Sequence, residues 1–328
     1  MKSHVKILLL LLFCCSGFRA HPPVHQRPDS KLIGGLSTKP SSHPYVVSLQ
    51  TRLFRIRAHI CGGTLLSQNW ILTAGHCVTE SFIVKWLPMD AIAGSNNAHE
   101  MHNMGFGPDA QIAPVDRRIP HPDYAGGIGP NDLAVLHTSN PFKFTKFIQP
   151  AILPLLSKAT YEYPLMLTGW GILRTTFFFP DLPRYLQEVN VTYIPYKECY
   201  EAIEAIKDKG ETNPLDEKSN ICTGPITGGV SACSGDSGGP LIQFINERDN
   251  SIDEDKDNIF EENDDKYPLT LPNRKGEDRK IKEENNNKII PMVVGVVSWG
   301  STPCGDKGAP TVYTKVDHFL DFINTYVI

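Results

Sequence analysis

The chain has 328 residues, which is enough for one large or two smaller domains with a full hydrophobic core. Apolar residues make up 41% and charged residues 21%, as is usual for a globular protein. The formal net charge of -4 excludes the basic footprint of a nucleic-acid-binding protein, and 26 glycines with 26 prolines favour turns over long helices.

The N-terminal segment has the three parts of a secretory signal peptide: a charged start, a short apolar run and small residues at the exit. Lys2 and Lys6 precede an apolar run over residues 7–13. This run is shorter than the roughly 20 apolar residues that cross a bilayer. We therefore expect residues 1–20 to be removed, with the cut within residues 16–20, and the mature protein to be secreted to the extracellular space without a membrane anchor.

Six cysteines remain once Cys14 and Cys15 leave with the signal peptide. An even number of cysteines in a secreted chain predicts three disulfide bonds. Counting alone permits 15 different connectivities. The remaining cysteines are Cys61, Cys77, Cys199, Cys222, Cys233 and Cys304.

Short runs of β-forming residues recur along the chain, separated by Gly, Pro and Asn, and predict an all-β fold of the barrel or sandwich type. The last segment differs, because apolar residues recur at helical spacing from Val316 to Val327, with Asp317 as a candidate N-cap. We expect one C-terminal amphipathic helix packed on the β domain. The predicted strands cover residues 46–50, 63–66, 133–137, 164–168, 186–193, 241–244, 292–299 and 311–316.

Residues 246–289 have a composition unlike that of a packed domain. They carry 14 acidic and 9 basic side chains among 44 residues, with few apolar ones. Such a segment buries too little to offset the entropy lost on ordering. Because runs of charge are usually solvated, we predict a disordered charged insertion. A wrongly retained piece of coding sequence and a regulatory or partner-binding arm are the alternatives.

Three motifs contain the residue types of an acyl-transfer site. Residues 235–240 read Gly-Asp-Ser-Gly-Gly-Pro, which exposes a serine hydroxyl and lets neighbouring backbone N–H groups converge. Residues 73–77 read Thr-Ala-Gly-His-Cys, and a bridged cysteine would hold the adjacent histidine as a fixed general base. Residues 131–136 read Asn-Asp-Leu-Ala-Val-Leu, so one acid begins an apolar strand and is placed for burial beside the histidine.

The order of these motifs along the chain separates two classes of hydrolase. A Ser between glycines also fits the nucleophile turn of an α/β-hydrolase, but that class has Ser, then the acid, then His. Here the His and Asp motifs precede the Ser motif, and the later His318 lies in the final helix. Together the motifs resemble those of the chymotrypsin/trypsin-like serine proteases, and the resemblance covers residues 32–328 apart from the charged insertion. It implies two six-stranded antiparallel β-barrels with a C-terminal helix.

The resemblance assigns roles to the motif residues. It implies that His76 is the general base, that Asp132 orients it and that Ser237 is the nucleophile. The backbone N–H groups of Gly235 and Ser237 would form the oxyanion hole. It also implies three disulfide bonds, which are Cys61–Cys77, Cys199–Cys222 and Cys233–Cys304.

The resemblance further implies a zymogen. Residues 21–31 would be a propeptide cut after Lys31, and residues 32–35 match the activation motif, although Leu-Ile replaces the commoner Ile-Val. The freed ammonium of Leu32 would pair with Asp236, because an isolated buried carboxylate is costly. We expect as partners a protein or peptide substrate, an upstream trypsin-like activating protease and protein protease inhibitors, and we expect a monomer without cofactor or metal.

Substrate preference is read from the residues that the resemblance places around the specificity pocket. Ser231 stands at the pocket base, where trypsin-like enzymes have an Asp that pairs with Lys or Arg. Gly300 and Thr311 would form the pocket walls, open on one side and narrowed on the other. Ser298 and Gly300, on either side of Trp299, would pair with the substrate backbone as an added strand. We predict a preference for uncharged, medium-sized apolar residues such as Leu or Met.

Three weaker features complete the sequence analysis. Asn190 begins the one glycosylation sequon, whose occupancy depends on whether this side chain faces outward. His99 and His102 suggest a metal site, but a solvated loop is the favoured interpretation, and Trp170 is interpreted as structural. The alternative to a protease is a catalytically silent homologue that acts as a binding or adaptor protein.

Overall fold

The computed structural model describes most of the chain that follows the predicted propeptide. The predicted signal peptide and propeptide, with Lys31 and Leu32, lie outside the described residues, as do His99, His102 and residues 247–288 of the charged insertion. Within the described residues, no helix is both long and apolar enough to span a membrane. The described residues are 35–39, 41–54, 56–80, 85–97, 106–154, 161, 164–172, 174–175, 180–181, 183–246 and 289–327.

Six antiparallel strands of the N-terminal half close into a first barrel. They are β2 (Val46–Leu53), β3 (Ile56–Leu65), β4 (Trp70–Thr73), β5 (Met89–Ala93), β6 (Gln111–Pro120) and β7 (Ala134–Thr138). The order around the ring is β2-β3-β4-β7-β6-β5, and β5 returns to pair with β2. Aliphatic side chains such as Leu49, Leu65 and Val135 are fully buried and form its core.

Six strands of the C-terminal half form the second barrel. They are β8 (Leu165–Gly169), β11 (Gln187–Ile194), β12 (Asn220–Gly224), β13 (Pro240–Asn246), β14 (Ile289–Gly300) and β15 (Thr311–Lys315). β8 pairs with both β11 and β13, which closes the ring. Outside it, β1 (Leu36–Ser37) adds to β11, and β9 (Arg174–Thr175) pairs with β10 (Pro180–Asp181). The two-barrel fold predicted from the resemblance is confirmed.

The helices of the described residues are few and short. α1 (His76–Thr79) follows β4, and α2 (Tyr196–Ile206) carries Cys199. At the C-terminus, a 3-10 turn (Val316–Phe319) leads into α3 (Leu320–Tyr326). The prediction of Asp317 as an N-cap is wrong. The cap position is Lys315, which is extended, and Asp317 lies inside the turn with a carboxylate oxygen 3.5 Å from Lys315 Nζ.

All eight predicted strands are present, and four strands that the sequence analysis did not predict complete the two rings. These four are β4, β5, β6 and β12. β6 was not predicted because its apolar pattern is interrupted by Pro114, Asp116, Arg117 and Arg118. β4 and β5 have only four and five residues, too few to show an alternation clearly.

The charged insertion leaves from the end of one hairpin. Asn246 and Ile289 are cross-strand partners at the tip of the β13–β14 pair, and Pro240 faces Val296 at the other end. Six residues of strand separate these ends, which is a distance of about 20 Å. The insertion therefore departs from the tip opposite to the Ser237 turn, which precedes Pro240.

Three disulfide bonds join the six cysteines. Their Cα atoms are 6.2, 6.3 and 5.6 Å apart, within the usual range for a bridge. One bond ties β3 to α1, one ties α2 to β12, and one ties the turn before Ser237 to the segment after β14. The pairs are Cys61–Cys77, Cys199–Cys222 and Cys233–Cys304.

Candidate active site

His76 and Asp132 meet at one end of the first barrel because the strands that carry them are neighbours. Thr73 at the end of β4 pairs with Ala134 at the start of β7. His76 follows β4 and Asp132 precedes β7, so this pairing brings their side chains together. His76 Nδ1 donates a 2.8 Å hydrogen bond to Asp132 Oδ2. The backbone N–H of His76 donates another, also 2.8 Å, to Oδ1. The carboxylate therefore fixes both the position of the ring and its tautomer.

Asp132 is held in turn by the second barrel. The residue is only 1% exposed. Ser298 Oγ on β14 donates a 2.5 Å hydrogen bond to Asp132 Oδ2, and Thr314 Oγ1 on β15 donates a 2.6 Å bond to the Asp132 carbonyl. A buried carboxylate needs such donors to be tolerated. The sequence analysis gave Ser298 a role in substrate binding only, since no local pattern shows a contact between residues 166 positions apart.

The imidazole of His76 is tuned by two acids. Burial lowers the pKa of His76, but the hydrogen bond to Asp132 and the charges of Asp132 and Glu80 outweigh burial and hold this pKa above its ordinary value. Glu80 follows the last residue of α1. The sequence analysis missed it, although an acid four positions after a helical histidine lies on the same face and was the available signal.

Ser237 lies on a tight turn that leads into β13. The backbone N–H of Gly62 on β3 donates a 2.7 Å bond to the Ser237 carbonyl, and that of Gly238 donates a 2.8 Å bond to the Val297 carbonyl. Gly238 has a φ of 75°, and a Cβ there would lie 2.2 Å from Thr73 Oγ1. Only glycine fits this position. The turn is therefore anchored to both barrels.

Ser237 and His76 line two adjoining cavities that share Ser298 and Trp299. No hydrogen bond joins Ser237 Oγ to His76 Nε2, both of which belong to the described part of the chain. His76 Nε2 instead lies 3.7 Å from the Sγ of Cys77. Hydrogen bonds between nucleophile and base are commonly long until substrate binds.

A histidine that the sequence analysis did not single out holds the backbone beside Ser237. His59 Nε2 lies 2.9 Å from the Gly235 carbonyl oxygen, and its Nδ1 lies 2.8 Å from Ser48 Oγ. His59 also packs edge-on against Trp170, with ring centroids 5.5 Å apart. These contacts fix the peptide next to the Gly235 N–H group. No sequence pattern indicates the contact between His59 and Gly235, because the two residues are far apart along the chain.

Asp236 is a fully buried carboxylate in a cradle of glycines. Its Oδ1 accepts a 2.7 Å bond from the Gly171 N–H, and its Oδ2 accepts a 2.9 Å bond from the Cys233 N–H. A Cβ on Gly169 or Gly171 would lie 1.9 or 2.2 Å from these oxygens, so no side chain fits. Burial raises the pKa of Asp236 to about 6, although the two backbone bonds lower it. No cationic side chain of the described residues forms an ion pair with it.

The predicted base and one predicted wall of the specificity pocket bond to each other. Ser231 Oγ donates a 2.8 Å bond to the Ala232 carbonyl and lies 3.1 Å from Thr311 Oγ1. Thr311 Oγ1 also accepts a 3.1 Å bond from the Ala232 N–H. Both residues are buried, and neither is among the residues that line the cavity beside Ser237, which are residues 232–234, Ser237, the end of β14 and the segment after it. No ionisable side chain lines this cavity among the described residues.

The structure also places two further residues from the sequence analysis, Asn190 of the glycosylation sequon and Trp170. Asn190 and Thr192 are exposed on β11, so the glycosylation sequon faces outward. Trp170 is 1% exposed and donates a 2.8 Å bond from Nε1 to the Asn96 carbonyl, as expected of a structural residue.

One cluster of possible metal ligands occurs in the described residues, and its chemistry argues against a metal. Cys61, His76 and Cys77 have their ligand atoms within 4.8 Å of one another. The two sulfurs are bonded to each other, whereas the ligand form of cysteine is the free thiolate.

Comparison with known proteins agrees with this geometry. A family model described as Trypsin matches residues 32–245 and 283–323. Kallikrein 1-related peptidase b3 of Mus musculus is 29% identical over 97% of this chain and 96% of its own length. Kallikrein-1 of Mus musculus is 28% identical over the same shares of the two chains.

Proposed function

Because the chain belongs to the trypsin family of serine proteases, we propose that Ser237, His76 and Asp132 carry its peptide-bond hydrolysis. Ser237 Oγ attacks the scissile carbonyl carbon while His76 Nε2 accepts the hydroxyl proton. The backbone N–H groups of Gly235 and Ser237 bind the negative oxygen that forms. The observation that carries this proposal is the buried Asp132 held against His76 by two hydrogen bonds of 2.8 Å.

The same imidazole completes the reaction. His76 gives its proton to the leaving amine, and the C-terminal product departs from the acyl-enzyme. A water molecule then loses a proton to Nε2 and attacks the ester carbon, the bond from that carbon to Ser237 Oγ breaks, and His76 returns the proton to Oγ. Both halves need Nε2 without a proton at the start, and Asp132 secures this by keeping the proton on Nδ1.

We further propose that the protein is made as a zymogen. Residues 21–31 are the propeptide, residues 32–328 are the catalytic domain, and a trypsin-like protease cuts after Lys31. The freed ammonium of Leu32 then pairs with Asp236. Two observations support this: the family model begins to match at residue 32, and Asp236 is a buried carboxylate whose raised pKa a nearby cation would relieve.

We propose that the enzyme prefers uncharged apolar residues, such as Leu or Met, before the scissile bond. The support is that Ser231 and Thr311, the two residues proposed to shape the pocket, are uncharged and hydrogen-bond to each other. A Lys or Arg side chain would lose its hydration there without gaining a counter-charge. The side chain of Thr311 would also narrow the pocket, which disfavours large aromatic residues before the scissile bond.

Secretion and glycosylation belong to the same proposal. Residues 1–20 would direct the chain to the secretory pathway, where the three disulfide bonds form readily. The exposed Asn190 then accepts a glycan, because its side chain and that of Thr192 are open to solvent.

A fluorophosphonate probe tests the proposed chemistry. The proenzyme is cut after Lys31 with immobilised trypsin, the trypsin is removed, and the probe is added. We expect covalent labelling of Ser237, none in a Ser237→Ala variant, and weaker labelling before the cut. A cut protein that does not react would favour the catalytically silent adaptor instead.

A further inference from the structure

A second cavity adjoins the specificity pocket on the His76 side. The two cavities share Ser298 and Trp299, so they adjoin at the same end of β14. His76 and Ile128 line the second cavity, and Glu80 lies at its edge. Ile128 is 62% exposed, so this cavity offers an open apolar wall next to an acidic group.

The Glu80 carboxylate is fixed at this cavity. Its Oε1 accepts a 2.7 Å hydrogen bond from Tyr124 Oη and another, also 2.7 Å, from the Gly127 N–H. Tyr124 Oη also lies 2.9 Å from the Gly127 carbonyl oxygen, so its single proton is shared between that carbonyl and Glu80, which holds the loop against Glu80. The second oxygen, Oε2, has no hydrogen-bond partner among the described residues. A held carboxylate with a free oxygen is ready to accept a charged donor.

The charges around the cavity are of one sign. Asp132 is the other acid in the lining, and its oxygens already bond His76 and Ser298. No Lys or Arg lines the cavity among the described residues. The charge of Glu80 reaches far enough across the cavity to help raise the pKa of His76. A cation entering here would therefore meet a negative potential that no Lys or Arg of the described lining cancels.

An extended substrate would place one side chain in each cavity. Successive side chains of an extended chain point to opposite faces, and the two cavities adjoin at Ser298 and Trp299, so a substrate lying along this end of β14 would present neighbouring side chains to the two cavities. We propose that Glu80 makes the second cavity select Lys or Arg at the residue two positions before the scissile bond, an inference that rests on the proposed function. The aliphatic stem would lie against Ile128 while the charged end reaches Glu80, as long cationic side chains commonly do.

A pair of matched substrates tests this selection. Both have leucine before a para-nitroanilide group, preceded in one by lysine and in the other by norleucine, which has a similar stem without the charge. Because colour appears only when the bond after leucine breaks, cleavage after the lysine does not register. We expect the cut enzyme to favour the lysine substrate by about threefold to tenfold in kcat/KM at low salt, and less at high salt, because the pair is exposed.

Two variants and one control identify the residue responsible. Glu80→Gln should bring the ratio of the two rates to about one, and Glu80→Lys should favour a third substrate with glutamate at that position. Glu201→Gln removes an exposed acid of α2, in the other half of the molecule, and should leave the ratio unchanged. The ratio does not depend on how much enzyme is correctly folded.

The outcomes separate this inference from the proposed function. Equal rates for the lysine and norleucine substrates in an enzyme that reacts with fluorophosphonate would overturn the role of Glu80 alone. A lysine preference that survives in Glu80→Gln would overturn it as well. If neither substrate is cut and the probe does not react, the proposed function fails and the inference fails with it.

Discussion

At the scale of single residues, the site depends on one buried carboxylate that contacts both barrels. Asp132 receives two hydrogen bonds from His76 in the first barrel. From the second barrel it receives one from Ser298, while Thr314 bonds its carbonyl. Hydrogen bonds to a charged group each contribute about 1.5 to 3 kcal/mol. The carboxylate that positions the imidazole is thus itself held by donors that reach it only when the two halves of the chain pack together.

The neutral pocket base leads to a prediction about substrate charge. Ser231→Asp with Thr311→Gly should introduce a counter-charge for a basic substrate side chain. It should also remove the threonine side chain that would lie between the substrate and the new carboxylate. We expect kcat/KM for an arginine substrate, relative to a leucine substrate, to rise by about a hundredfold, or about 3 kcal/mol of transition-state stabilisation. Paired peptide substrates measure the ratio. Single Ser231→Asp should shift it less, because the new carboxylate would lie near the Ala232 carbonyl that Ser231 now bonds.

The matched control for this prediction is Ser231→Asn with Thr311→Gly, which has the same shape without the charge. It should accept larger apolar residues and gain nothing for arginine. A wild-type enzyme that already favours arginine over leucine would show that Ser231 does not form the pocket base.

At the scale of helices and strands, local patterns were sufficient for eight of the twelve barrel strands, most of which contain a clear apolar run. Strand β7, which follows Asp132, and the strand pair β13 and β14 were predicted for this reason. α2 was missed even though Cys199 and Ile203 are buried at helical spacing, because an 11-residue helix in a β-rich sequence gives a short signal. Contacts such as His59 with Gly235 had no signal at all, since they arise only from closure of the barrels.

The hairpin of β13 and β14 predicts that most of the charged insertion is dispensable for catalysis. Asn246 pairs with Ile289, so residues 247–288 can be replaced by the two-residue turn Asn-Gly, which favours a tight hairpin. The tip lies about 20 Å from the Ser237 turn by strand length. We expect kcat/KM on a short peptide to change by less than tenfold, or about 1.4 kcal/mol.

The control for the deletion is a variant that keeps the length of the insertion and replaces its charged residues with Gly and Ser. It should behave like the deletion toward short peptides. A loss of more than tenfold in both variants would show that the charged segment acts on the pocket.

At the scale of the whole molecule, Asp236, which has no cationic partner among the described residues, makes the stability of the uncut chain depend on pH. Its pKa in the fold is about 6 because of burial, against an ordinary value of about 3.9. The folded state therefore binds the proton more tightly, and stability is lost as pH rises from about 4 to about 6. The loss from this group is about 3 kcal/mol. Pairing with the Leu32 ammonium would lower the pKa and remove most of the loss.

Denaturant unfolding of cut and uncut Ser237→Ala protein between pH 4 and pH 7 measures this effect, and the Ser237→Ala background prevents self-digestion. The free energy of unfolding of the cut form, relative to the uncut form, should increase with pH over this window. Parallel curves for the two forms would contradict the pairing of Leu32 with Asp236.

Activation and specificity together predict that the zymogen does not activate itself. The bond to be cut follows Lys31, and the proposed base of the pocket that would receive this side chain, Ser231 with Thr311, is uncharged. Burying an ammonium without a partner costs several kcal/mol, which corresponds to orders of magnitude in rate. The residue before Lys31 is Ser30, which also lacks the positive charge that Glu80 would select.

Purified proenzyme should keep its N-terminus for hours and acquire Leu32 at the terminus within minutes of adding a trace of trypsin. The rate of cutting should not change with proenzyme concentration, and rapid cutting without trypsin, faster at higher concentration, would show that the pocket accepts Lys31 after all.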